Sequence, residues 1–236
     1  MDKLTQDFFE TKFPGFNDQV IIADNVFQTS VPVVELEYNL NVDLLLKYCL
    51  DIKVNEIGNR QGKTQGYQKE PRWKGWHCYS SLWNYGYQST HMLDIYNKKL
   101  DAPPPIKYPD EKTLKIRKYF LDLGLDFRLL LNMILNPNSY LRPHRDISFD
   151  PNPLLYCWIP LTNPKGSELK FYPYGTVDVK LGNVYLFNQE NFVHAIRNTN
   201  KDLQRYSMIG YLDSKTILPK FKQQVTDAIQ KQYLTF

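Results

Sequence analysis

The stretch DFRLLLNMIL, residues 126–135, marks the point where the chain changes period. Phe127, Leu129, Leu131, Met133 and Leu135 share one phase of a two-residue repeat, while Arg128, Leu130, Asn132, Ile134 and Asn136 share the other. Side chains alternate across a strand, so the pattern reads as β-structure. Just upstream, DEKTLKIRKYFLDLG (110–124) sets Ile116, Phe120 and Leu123 at i, i+4 and i+7, with Gly124 as a stop. That is a helix. Downstream, strand-like runs recur near 140–144, 154–161, 167–173, 176–187, 192–197 and 204–212, the 176–187 run broken at Gly182-Asn183. Many short strands at close spacing predict an all-β barrel or a double-sheet jelly roll.

The flanks differ in character. Residues 1–40 mix short apolar runs with Pro and Asn, and read as short strands and loops. Asn41 is placed to cap a helix in NVDLLLKYCLDI. From Gly58 to Thr90 the chain is rich in Gly, Gln and aromatic residues, an expected aromatic-rich loop. The triple proline in APPPIKYPD marks a boundary near 102–110. At the end, PKFKQQVTDAIQKQYLTF returns to helical period, with Phe221, Val225, Ala228 and Ile229 on one face.

Composition sets outer bounds. The 236 residues suffice for one sizeable domain, and 42% hydrophobic with 14% aromatic residues supplies a packed core. A net charge of +4, from 29 basic and 25 acidic residues, is too mild to favour nucleic acid, though it does not exclude it. Cys49, Cys78 and Cys157 form no CxxC pair, which argues against a thiolate zinc site or a disulfide framework and for a reducing, cytoplasmic setting. No stretch reaches the length of a membrane span, and the first residues lack the apolar run of a secretory signal.

The chemistry sits at LRPHRD (141–146) and FVHAI (192–196). Residues i and i+2 of an extended segment project to one side, so His144 and Asp146 can offer two ligands locally. Two histidines and one carboxylate on one face of an octahedron suit ferrous iron. His194 is available as the third ligand. Alone, His-x-Asp is a weak signal, and His194 could equally be a core histidine bonded to a backbone carbonyl. The next run sharpens the choice. If AIRNTNKDLQRYSMIGYLD forms a hairpin centred between Thr199 and Asn200, then His194 and Arg205 pair across it, with Ser207 further along that face. An arginine directed into an interior of Phe192, Ile196, Ile209 and Tyr211 calls for an anion, and a carboxylate is its natural guest. A one-residue slip would instead turn Arg205 to solvent.

His144-x-Asp146, His194 and Arg205-x-Ser207 together resemble the motif set of the Fe(II)/2-oxoglutarate-dependent oxygenases. Residues ~127–213 look most like the aspartyl/asparaginyl β-hydroxylase group. The resemblance implies a mainly β fold, a double-stranded β-helix or cupin-like jelly-roll barrel with a few flanking helices. The first half of the chain shows no such resemblance; with the length and patterning above, the chain reads as one domain over 1–236: an N-terminal elaboration over 1–125, a catalytic core over 126–213 and a C-terminal helix over 214–236. The resemblance implies Fe(II) on His144, Asp146 and His194, and 2-oxoglutarate on Arg205 and Ser207. Tyr156 and Asn132 are further candidates for the cosubstrate; the bland reading of Asn132 is a rim asparagine. Well-known members of the hydroxylase group lack the carboxylate ligand that Asp146 supplies, and typically carry Arg and His where Tyr156 and Trp158 stand.

The implied reaction hydroxylates a protein side chain or an amino-acid-like small molecule, releasing succinate and CO2. Trp73, Trp76 and Trp83, interleaved with Lys69, Arg72 and Lys74, are the candidate substrate contacts. They could equally fill a peripheral core. His77 and His91 have no acidic neighbour at ligand spacing and read as ordinary polar residues. Two alternatives remain: a non-catalytic jelly-roll binding module, and a cupin-type oxygenase independent of 2-oxoglutarate.

Overall fold

The computed structural model describes residues 1–13, 32–51, 73–84, 111–146, 154–213 and 219–234. Its elements are α1 (Lys3–Glu10), β1 (Val33–Leu36), α2 (42–51), β2 (Trp73–Asn84), α3 (Glu111–Asp122), β3 (Phe127–His144), β4 (Leu154–Pro160), β5 (Ser167–Phe171), β6 (Gly175–Thr176), β7 (Val184–Phe187), β8 (His194–Asn198), β9 (Arg205–Asp213) and α4 (Pro219–Leu234).

Every strand pairing described is antiparallel, and the order is β1-β7-β4-β9-β3-β8-β5-β6, with β2 along the other edge of β3. The 18-residue β3 organises the whole. Its first half pairs with β9 from Phe127↔Leu212 to Leu135↔Arg205, which leads on to β4 and β7. Its second half pairs with β8 from Ser139↔Asn198 to His144↔His194, which leads on to β5 and β6. Two groups of strands sharing one long strand make a double-stranded β-helix, the jelly roll expected from the spacing of strand signals.

The two faces of the sheet pack differently. Met133, Trp158, Leu169, Phe171, Tyr185, Ile209 and Tyr211 meet on the inner face. On the outer face, Phe127, Leu130, Ile159, Met208 and Leu212 pack against Leu45 and Cys49 of α2, Ile116 and Phe120 of α3, and Phe221 and Val225 of α4. Burial of each large apolar side chain there contributes roughly 1.5–3 kcal/mol. Helix ends follow their sequence signals. Asn41 accepts the Leu44 N–H at 3.0 Å, and Gly124 ends the α3 segment at φ +85°.

Two expectations are corrected. Residues 3–10 are helical: Asp2 caps α1 by accepting from Thr5 N, and Thr5 and Phe9 bury one face. Within the expected aromatic-rich loop, residues 73–84 are a strand, placing Trp73, Trp76 and Trp83 opposite Leu141, Leu135 and Leu130 of β3. The 176–187 run breaks where expected: β6 and β7 are parted by a turn at Gly182, whose φ of +87° favours glycine. His91 and the run VIIADNVF (20–27) lie outside the described residues.

Candidate metal and anion site

His144 is the last residue of β3 and His194 the first of β8, and their Cα atoms are direct partners. Their ring centres lie 4.4 Å apart. Asp146 follows by two residues, and its N–H donates to the Gln189 carbonyl at 3.1 Å. That bond ties the end of β3 to the turn that delivers His194. One ligand atom from each of His144, Asp146 and His194 comes within 4.8 Å of the other two. Among the described residues this is the group able to hold a metal ion.

The two imidazoles are held alike. His144 Nδ1 lies 2.6 Å from the Arg142 carbonyl, and His194 Nδ1 lies 3.3 Å from the Phe192 carbonyl. A carbonyl only accepts, so Nδ1 carries the proton and Nε2 presents its lone pair. His144 Nε2 then approaches Asp146 Oδ1 at 3.4 Å, lone pair toward lone pair. Such an approach calls for positive charge between them, either a further proton or a metal ion. Burial is the main cause pushing the His194 pKa down to about 4, with the neighbouring His144 acting in the same direction, so the ring is neutral at pH 7. Burial works against the Asp146 carboxylate, but when the rings are protonated a hydrogen bond from His144 and the charges of both histidines outweigh it and hold its pKa below the usual range. A neutral buried imidazole beside an ionised carboxylate is a donor set that fits a divalent metal.

Arg205 opens β9, and only 2% of its surface is exposed. Among the described residues, its Nε, Nη1 and Nη2 have no hydrogen-bond acceptor. Its guanidinium carbon lies 4.8 Å from the centre of the Trp158 ring. Burial pushes its pKa down to about 9, which leaves it protonated at neutral pH. Ser207, also buried, stands two residues on, opposite Met133 and Pro160. Rings connect the two centres: His194 stacks on Phe171 at 5.3 Å, Phe171 meets Phe187 at 5.3 Å, and Phe187 stacks on Trp158 at 5.4 Å. Tyr156 joins this wall, stacked on Phe187 and edge-on to Tyr211.

The expected pairing of His194 with Arg205 does not occur. β8 and β9 lie end to end along one edge of β3, each antiparallel to it, and share no pairing with each other. The polar run between them folds onto itself. Asn198 Nδ2 reaches the Leu135, Asn136 and Leu203 carbonyls, while the Asn200 side chain accepts from Asp202 N and Leu203 N. This loop returns the chain to its former direction, where a hairpin would have reversed it.

Asn132 also departs from expectation. It pairs with Met208 on the outer face and donates to the Cys49 carbonyl at 3.3 Å, so its amide serves the helix contact and not the interior. Two polar features of the interior were not singled out from the sequence as site residues. One is Trp158 under Arg205. The other is Gln189, buried in the turn beside Asp146 with no partner for Oε1 among the described residues. Its signal was parity, since 185, 187 and 189 continue one phase.

No protein-family model matches the chain, and no match is found among curated proteins. Solved structures are similar. A Pseudomonas putida prolyl-4-hydroxylase is 16% identical over 77% of this chain and 92% of its own, with a TM-score of 0.40. AviO1 from Streptomyces viridochromogenes is 13% identical over 80% and 92%, with a TM-score of 0.46. SnoN, a non-heme alpha-ketoglutarate-dependent epimerase from nogalamycin biosynthesis, is 14% identical over 78% and 78%, with a TM-score of 0.42.

Proposed function

We propose that the chain is an Fe(II)/2-oxoglutarate-dependent dioxygenase. One observation carries the reading: a convergent His-Asp-His group and an orphaned, buried guanidinium are joined by a single aromatic wall. His144, Asp146 and His194 would hold the iron. Arg205 and Ser207 would hold the distal carboxylate of 2-oxoglutarate, with the Tyr156 hydroxyl as a further donor. Bound iron and cosubstrate together supply oxidation of a C–H bond by dioxygen, coupled to conversion of 2-oxoglutarate to succinate and CO2. The protein's own part is binding and orientation. The Arg142 and Phe192 carbonyls fix both imidazoles with Nε2 toward the metal. Arg205 meets a carboxylate with donors already desolvated, which strengthens each bond. The rings of Phe171, Phe187, Trp158 and Tyr156 exclude water from the space between.

The substrate in this reading is a protein side chain or an amino-acid-like small molecule, as the resemblance of residues 127–213 to the aspartyl/asparaginyl β-hydroxylase group implies. Trp73, Trp76 and Trp83 are its proposed contacts. The buried thiols Cys49 and Cys157 fit the reducing, cytoplasmic setting such a ferrous enzyme would use. The test is release of succinate from 2-oxoglutarate by the purified protein with Fe(II) and oxygen, with binding followed by calorimetry. Uncoupled turnover that disappears in Asp146→Ala supports the proposal. A protein that neither binds nor consumes 2-oxoglutarate refutes it and leaves the binding-module reading.

A further inference from the structure

A buried guanidinium without a hydrogen-bond partner raises the question of what keeps it in place before an anion arrives. All three Arg205 nitrogens lack an acceptor among the described residues. What the group does meet is the face of Trp158, at 4.8 Å. Indole is the strongest cation-binding ring among the side chains, and the attraction grows as water is removed. The indole is itself confined. It is 3% exposed, tilted against Tyr185 at 5.3 Å and stacked on Phe187 at 5.4 Å. Trp158 pairs with Ile209 on β9, and Arg205 lies four residues from Ile209 in the same phase, so both side chains belong to the inner face. A guanidinium lying over a ring keeps its N–H donors at its edges, where a carboxylate can reach them.

We propose that Trp158 is the positioning residue of the anion site: its indole face holds the Arg205 guanidinium charged and aimed, and leaves the donor fork open for the incoming carboxylate. This rests on the reading of Arg205 as the 2-oxoglutarate anchor. It also gives a role to a position where the hydroxylase group typically carries another residue. If Trp158 merely filled space, any large apolar side chain would serve as well.

The experiment uses the full chain with Mn(II) in place of iron and follows 2-oxoglutarate binding by calorimetry and by tryptophan fluorescence. Fluorinated tryptophans introduced at position 158 alone weaken the ring's hold on a cation while keeping its shape. The expected result is a stepwise loss of 2-oxoglutarate affinity with each added fluorine. Trp158→Leu should bind on the order of 10- to 30-fold more weakly, with Trp158→Phe between it and the parent. Mn(II) affinity should stay at the parent value throughout. The fluorinated series reads out even if Trp158→Leu fails to fold. Full affinity in Trp158→Leu, or a flat fluorine series, overturns the inference alone, provided Arg205→Met abolishes binding. Absence of binding to the unaltered protein overturns the functional reading and this inference with it.

Discussion

His144 and His194 face each other as direct Cα partners across β3 and β8, and their ring centres are 4.4 Å apart. The candidate metal site is thus a property of strand register: two strands that pair anywhere else would separate these side chains.

Each ligand should therefore matter singly. His144→Ala, Asp146→Ala and His194→Ala should each weaken Mn(II) binding by more than about 100-fold, beyond the upper end of what loss of a supporting hydrogen bond causes. Calorimetric titration of the metal checks this. A variant that holds Mn(II) as tightly as the parent would remove that residue from the site.

Acid should destabilise the metal-free protein in a defined window. The His194 pKa falls from 6.5 to about 4 on folding, first through burial and then through His144. Between those values the unfolded chain takes up a proton and the folded chain does not. Stability is therefore full above about pH 6.5 and falls by on the order of 3 kcal/mol as the pH drops toward 4. Asp146 acts in the same sense at lower pH, contributing above its unfolded value of 3.8 and losing that contribution as its carboxylate takes up a proton. Urea titrations at stepped pH should show His194→Gln with a flatter decline between 6.5 and 4 than the parent.

The loop that carries the chain from β8 to β9 depends on Asn198, fully buried and donating to the Leu135, Asn136 and Leu203 carbonyls. Asn198→Ala strands those acceptors and should cost about 3 kcal/mol in urea unfolding. Asn198→Asp should cost at least as much, because a carboxylate cannot donate to a carbonyl.

Gly210 has no room for a side chain. A Cβ there would lie 2.3 Å from Phe127 Cε1, on a ring that is 1% exposed in the outer core. Gly210→Ala should destabilise by about 1–3 kcal/mol through overpacking. Phe127→Leu on that background should recover part of the loss, which a double-mutant cycle measures as coupling.

The architecture was legible because period-2 alternation and turn residues survive in a single sequence. The helix stops and caps at Asn41 and Gly124 were legible for the same local reason. Register was not. The run Asn198 to Asp202 has the composition of a hairpin tip, and nothing in it reveals that two asparagine side chains will bind the loop's own backbone and send the chain onward. Face assignment failed at Asn132 for a different reason: β3 is apolar on both phases, so alternation separates its faces without saying which one is interior. In α1 the signal existed, in Asp2 with Thr5 and Phe9 one turn apart, but it is only eight residues long and was submerged in a mixed segment.

Because β8 and β9 both lie along β3, the proposed metal and anion sites are indexed on one strand, at His144 and opposite Leu135. The interval is nine residues (144 − 135). At about 3.3 Å per residue a straight strand of that length would measure about 30 Å, several times the length of a five-carbon dicarboxylate. One such molecule can meet both proposed sites only because β3 does not run straight between them: Asn138 takes φ +52°, and the register shifts between Leu141 and His144. The reach from one grip to the other is thereby set by the bend of a single strand, independently of the groups at its ends.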